Sequence, residues 1–188
     1  MTIRRYEPRD FEDVRYVCLN SEGPNEDPPE TRHFILTTYC DYYLEQEPYN
    51  CFVLADDRDR AVGYIICAAE YDRFRRVFLE QYLPRIPESD PRHREYALSS
   101  ADLQQKYKTE YPAHLHIDIL PSFQRQGWGS RLADRLRQHL AETGVPGVML
   151  TVGSSNTVGR SFYEKYGFVF LEENGGDAAY GICCRRDG

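Results

Sequence analysis

The stretch HLHIDILPSFQRQGWGSRLADRLRQHL, residues 114–140, decides how the rest of the chain is read. It opens as a short alternating strand, passes a proline and a glycine-rich turn, and continues as an amphipathic helix. Leu132, Leu136 and Leu140 recur every fourth residue with Ala133 beside them, while Arg131, Arg135 and Arg137 fall on other faces and Gly144 supplies a stop. At the junction Gly127 and Gly129 stand where the backbone must turn, so the N–H groups of residues 126–130 can point outward together. A helix N-terminus leaves about four such donors unpaired and carries about half a positive charge. The turn therefore reads as a phosphate site. The nucleotide pattern GxxxxGK[ST] and the dinucleotide pattern GxGxxG are both absent, which leaves QxxGxG after a strand that ends in proline.

The chain has 188 residues, one domain's worth, with 41% hydrophobic and 28% charged residues, which is ordinary globular composition. Its net charge of −7 argues against nucleic-acid binding, which asks for a basic excess, and is compatible with attraction of a cationic amine. Apolar runs are strand-sized and TIRRYE follows Met1 with no hydrophobic signal core, so the expectation is a cytoplasmic protein without membrane insertion. The six cysteines, Cys18, Cys40, Cys51, Cys67, Cys183 and Cys184, lie in apolar or aromatic segments without CxxC spacing, and read as reduced core residues. No metal-ligand spacing accompanies them.

Residues 2–7 alternate as a first strand, and Phe11, Val14, Val17 and Cys18 share one face of a helix that follows Pro8. Residues 21–30 carry three prolines and four acidic residues and predict an exposed loop, followed by a tyrosine-rich helix over 30–45. Residues 50–55 and 61–69 flank the charged tetrad 57–60 as an antiparallel hairpin. Residues 71–112 then form a long helical-pattern segment, broken at Pro84, Pro87 and Pro91, before the central strand. After the central helix come a strand at 147–152, a helix begun by Asn156 and ended by Gly167, and strands at 168–171 and 178–184. This order predicts an α/β class with a mixed sheet.

The strand ending IDILP, the loop QRQGWG, the helix, and NTVGRSFYEKYGF together resemble the GNAT superfamily of N-acetyltransferases, whose acetyl-coenzyme A loop reads [RQ]xxGx[GA]. The resemblance covers residues 113–170 clearly and the N-terminal part more loosely. Within the superfamily, YPAHLHIDILP and the segment from Asn156 to Tyr163 are similar to the acetyltransferase-like domain of O-linked N-acetylglucosamine hydrolases and its free-standing bacterial relatives, a branch with members that look like non-catalytic binders. The resemblance implies a GNAT fold, a mostly antiparallel central sheet flanked by helices, with residues 71–112 as a helical insertion between the third and fourth strands of a single domain, 1–188. That segment is expected to cover the acceptor cleft. Gly159 stands where alanine is frequent in the family.

The resemblance also implies acetyl-coenzyme A as co-substrate and a primary amine, on a small molecule or a protein lysine, as acceptor. The coenzyme is expected to meet Ile119, Leu120, Gln124, Arg125, Gln126, Gly127, Trp128, Gly129, Ser130, Asn156 and Tyr163, with Trp128 packing its ring on the core and Asn156 also capping its helix. A main-chain N–H near Ile119 is the implied oxyanion donor, provided the strand splays from its neighbour. Tyr163 matches the family's general acid. Strand alternation puts His116, Asp118 and Leu120 on one face and Leu115, Ile117 and Ile119 on the other. A carboxylate on a core strand is unusual and burial raises its pKa, so Asp118 is the first choice for base or amine-binding group and His116 the second. The rival reading is an acetyl-coenzyme A binding module without turnover. Sequence leaves the acceptor and the oligomeric state open.

Overall fold

The computed structural model of the chain describes residues 1–99 and 102–184. Continuous apolar runs need cover on both faces, and they make the middle of the sheet: every residue of β2 (Phe52–Ala55) and β3 (Ala61–Ala68) is buried. With β1 (Thr2–Arg5), β4 (Ala113–Ile119), β5 (Gly147–Gly153), β6 (Val169–Asn174) and β7 (Asp177–Cys183) they form one sheet in the order β1-β2-β3-β4-β5-β7-β6. All neighbours pair antiparallel except β4 and β5, which run parallel.

One face of the sheet is covered by α1 (Phe11–Asn20), α2 (Pro29–Leu36), α3 (Tyr42–Gln46) and α4 (Tyr71–Val77), whose Val14, Val17, Tyr42, Tyr43 and Phe74 pack with Tyr64 and Ile66 of β3. On the other face α7 (Trp128–Glu142) lays Leu132, Leu136 and Leu140 against Phe52, Leu54, Ile65 and Leu115. Its neighbour α8 (Thr157–Tyr166) is capped by Asn156 and stopped by Gly167 in the left-handed region, φ 111°. Gly144, at φ 82°, follows the end of α7.

The helix expected over 30–45 is interrupted. A π-helical turn over Thr37–Asp41 divides α2 from α3. Pro29 begins α2, so the acidic loop is shorter than the proline count suggested. Beyond β3, α4 runs into a second π-helical turn, Phe78–Tyr82, and α5 (Pro91–Ser99) and α6 (Asp102–Tyr107) follow before β4. Cys40, Cys51, Cys67 and Cys184 are buried, but Cys18 is half-buried and Cys183 exposed at the end of β7; all six are free. Among the described residues no helix is long and apolar enough to cross a membrane.

β4 and β5 share only two partner pairs, Ala113 with Val148 and His114 with Met149, and then part. Leu120 donates its N–H to the Val62 carbonyl at 2.9 Å. Alternation therefore turns the N–H and C=O of Ile117 and Ile119 to the other edge of β4, into the gap. The closed end of this fork is tightly fitted. A Cβ on Gly147 would stand 2.7 Å from the Glu110 carbonyl oxygen and 2.8 Å from the Tyr111 ring, and one on Gly181 2.6 Å from the same ring. Tyr111 thus lies against bare backbone of both β5 and β7.

Gly147→Ala should therefore lose stability, by about 1–3 kcal/mol, as overpacking against backbone does. Gly153→Ala, at the other end of β5 with nothing within 4 Å of the added carbon, should change it by less than about 0.5 kcal/mol. Urea midpoints of the two variants check the contrast; equal midpoints would mean the closed end of the fork is not tight.

Candidate active site

The open end of the fork leads into a cleft of about 570 Å³ between the end of β4, the loop before α7 and the first turns of α8. From the expected set, Asp118, Ile119, Gln124, Arg125, Gly127, Gly129, Ser130, Asn156 and Tyr163 line it. Leu120, Gln126 and Trp128 do not. Leu120 packs with the apolar cores, Gln126 donates its side-chain amide to the Ser122 carbonyl at 3.2 Å, and Trp128 packs on the core with Arg131 stacked 4.7 Å from its ring.

The glycine loop has the backbone geometry of an anion cradle. Arg125 and Gly127 both occupy the left-handed region, at φ 59° and 80°, with Gln126 between them at negative φ. A non-glycine residue held there is uncommon, and such strain gathers at ligand-binding loops. Alternation of this kind turns successive N–H groups to one side. The first bond across the opening turn of α7 runs from Arg131 N–H to the Gly127 carbonyl at 3.3 Å, and no side chain caps the helix. The N–H groups of Trp128, Gly129 and Ser130 therefore precede the helical ladder. A Cβ on Gly127 would meet nothing within 4 Å, whereas one on Gly129 would stand 3.1 Å from the Phe162 ring. Gly127 keeps space for a ligand, and Gly129 lets α7 and α8 approach.

On α8, Asn156 accepts the Gly159 N–H at 2.8 Å. A Cβ on Gly159 would press to 3.1 Å from the same Asn156 oxygen. The glycine that departs from the family pattern thus leaves room for this cap. Tyr163 packs its ring against Phe162, Phe168 and Tyr180 at 5.3–6.1 Å between centroids. Burial raises its pKa well above that of a free phenol, and the Asp118 charge adds to the effect, so the hydroxyl is protonated at neutral pH.

Asp118 sits across β3 from Tyr64, its register partner, and accepts the Tyr64 hydroxyl at 2.5 Å. Burial pushes the Asp118 pKa up to about 6; the hydrogen bond from Tyr64 and the nearby Ser21 side chain pull it back, and the charge of Glu22 raises it again. Such a group is largely ionised at neutral pH yet remains a useful proton acceptor. His116 is differently placed. Its ring lies 5.4 Å from Tyr39 and 5.2 Å from Tyr43, with Nε2 3.0 Å from the Tyr43 hydroxyl, and burial lowers its pKa to about 4. It is not among the cleft-lining residues. Of the two candidates only Asp118 reaches the cleft.

Sequence reading misses Tyr64, Val158 and Phe162, and takes the loop of Ser21 and Glu22 as a whole, as one wall of the acceptor site implied by the resemblance. Ser21 and Glu22 were within its acidic loop, and Phe162 within its helix motif, but their aim into one cleft depends on packing. Tyr64 had a weak signal, a tyrosine in an otherwise aliphatic strand.

A model of the acetyltransferase (GNAT) family matches residues 15–168. The span is most of the chain, and the protein belongs to the GNAT acetyltransferase family. The crystal structure of SsHAT is similar at a TM-score of 0.86 and 29% identity, over 98% of this chain and 98% of that one. The PaiA N-acetyltransferase of Thermoplasma acidophilum, solved in complex with coenzyme A, is similar at a TM-score of 0.63 and 18% identity, over 97% and 98%. An agmatine N-acetyltransferase is similar at 0.66 and 13%, over 97% and 98%. At these identities the last two speak for the fold. The chain is an enzyme of the acyltransferase class with acetyl-coenzyme A as co-substrate, and the uncapped N–H groups and open Gly127 position fit the phosphates of that molecule.

Coenzyme A at about a hundred times its dissociation constant should add roughly 2.7 kcal/mol of stability, a rise of about 5–10 °C in Tm for a chain of this size. Gly127→Glu fills the open position and repels phosphate, and should abolish the rise. Calorimetric binding undiminished in that variant would remove the loop from the cradle.

Proposed function

We propose that the enzyme transfers an acetyl group from acetyl-coenzyme A to a primary amine, of a small molecule or a protein lysine, by direct attack of the amine on the thioester. The observation that carries this reading is that a half-buried carboxylate, Asp118, and a protonated phenol, Tyr163, line the same cleft as the glycine loop. Acetyl-coenzyme A supplies an activated acetyl thioester. The N–H groups of residues 126–129 and the Arg125 side chain hold its phosphates, and Asn156 and the open edge of β4 hold the arm that leads to the sulfur. Asp118 takes the proton of the acceptor ammonium. The Ile119 N–H, on the unpaired edge of β4, donates to the developing oxyanion. Tyr163 returns a proton to the departing sulfur.

The acceptor enters, on this reading, beside the loop after α1, where Glu22 joins Asp118 in favouring a cation. Residues 71–112 cover that side. The support is that His93 of α5 stacks on Phe34 of α2 at 4.2 Å, and the Tyr96 hydroxyl reaches Asp177 at the start of β7, 3.4 Å away. Four buried free thiols are in keeping with a reducing, cytoplasmic setting. The narrower similarity to the acetyltransferase-like domain of O-linked N-acetylglucosamine hydrolases makes an inactive coenzyme binder the alternative. Asp118 and Tyr163 sharing the cleft supports turnover.

Asp118→Asn keeps the shape and removes the proton acceptor, and Tyr163→Phe keeps the ring and removes the donor. Each should lower turnover by at least about tenfold, against the ~10²–10⁴ that a positioned acid or base typically contributes, while coenzyme affinity stays within a few fold. Thiol release from acetyl-coenzyme A across a panel of amines measures both. Full activity in both variants would overturn the mechanism, and coenzyme binding with no thiol release from any amine would establish the binder.

A further inference from the structure

We propose that Tyr64 is a positioning residue of the transfer reaction, fixing Asp118 in the cleft through its hydroxyl. The inference rests on Asp118 acting as the base. Tyr64 is wholly buried among the residues of α1 to α4, so its hydroxyl needs a partner inside the protein. That partner is the Asp118 Oδ2, 2.5 Å away across the strand pair. Burial and the Asp118 charge raise the Tyr64 pKa well above the ordinary phenol value, so Tyr64 remains a donor whatever the state of Asp118. Cys18 and Cys40 lie close enough to raise it further, and neither competes for the carboxylate.

The groups that face Asp118 are few. Tyr64 comes from β3, Ser21 and Glu22 from the loop after α1, and Tyr163 from α8; His116, two residues earlier on β4, is turned to Tyr43. Arg125 of the glycine loop lines the same cleft, and among the described residues no cation is hydrogen-bonded to Asp118. A carboxylate taken this far out of water with Glu22 nearby drifts toward the neutral acid, which cannot accept a proton. A hydrogen bond to the charged form opposes the drift, and Tyr64 supplies it. The same bond fixes one carboxylate oxygen, which leaves the other to meet the ammonium. Ser21 is itself held, because its carbonyl accepts the Gln124 amide at 2.8 Å while that nitrogen also reaches the Ile119 carbonyl at 2.7 Å.

Tyr64→Phe removes one hydroxyl and keeps the ring. Two readouts are needed. The Asp118 carboxyl carbon, assigned by comparison with Asp118→Asn, is titrated by carbon NMR in the protein without ligand. The pH profile of kcat/KM is measured with the best amine of the panel. Both the titration and the acid limb should move upward by about one pH unit in Tyr64→Phe, with kcat/KM restored at the higher pH and the coenzyme-induced rise in Tm unchanged. An Asp118 titration that stays within about 0.2 units in Tyr64→Phe, or moves downward, would overturn the proposal. If Asp118→Asn instead retains full activity, the base reading itself fails; the NMR titration then still decides whether Tyr64 controls the charge of Asp118.

Discussion

The divergence of β4 from β5 after two partner pairs is the constraint on which the site depends. A parallel pair inside a sheet normally satisfies its backbone along its whole length, and here Ile117 and Ile119 of β4 turn their backbone groups to a gap instead. Buried backbone donors and acceptors must find partners. The Ile119 carbonyl finds the Gln124 side chain, and the rest of the edge opens onto the cleft, so binding capacity is made from hydrogen bonds the fold leaves unused. The two ends of the fork are held differently. Tyr111 rests on bare backbone at Gly147 and Gly181 where the strands meet, and the Phe162 ring rests against Gly129 where the two helices close over the open end.

A strand of this kind separates polar residues by depth. His114, His116 and Asp118 share one face of β4, a pattern that alternation alone would read as three equivalent groups. His114 is buried beside the Phe74 ring, at 4.3 Å, and His116 lies between two tyrosines; both are held neutral because burial disfavours the imidazolium. Asp118 is the last of the three. It lies where α1 ends and the covering helices give way to the cleft, so the same burial produces a proton acceptor rather than an inert core residue. Position along the strand, not residue type, assigns the roles.

Much of this was legible in the sequence, for reasons that are local. The leucine repeat of α7, the two glycines before it, the Asn156 cap and the Gly167 stop each follow from conditions within a turn or two, and the structure places them as read. The hairpin of β2 and β3 was equally local. What the sequence did not show depends on register or on the angle between elements. That Tyr64 faces Asp118 follows from pairing residue 64 with residue 118 and not with a neighbour, and a shift by one would send the ring to the other core. The π-helical turns at Thr37–Asp41 and Phe78–Tyr82 arise within segments whose periodicity is simply helical. The splay itself has no sequence signature apart from glycines at its closed end.

The environment of Asp118 is assembled from segments far apart in the chain: Ser21 after α1, Tyr64 on β3, Asp118 on β4 and Tyr163 on α8. Gln124, the first residue of the glycine-loop pattern, joins two of them through a single amide nitrogen that reaches both Ser21 and Ile119. The glycine loop and the loop that carries Glu22 are therefore fastened at one point. A backbone carbonyl held on each side fixes the distance between them, and with it the width of the cleft mouth. The glutamine pattern that marked the phosphate site in the sequence thus has a second consequence in the fold, since it ties the coenzyme side of the cleft to the side on which Asp118 is oriented.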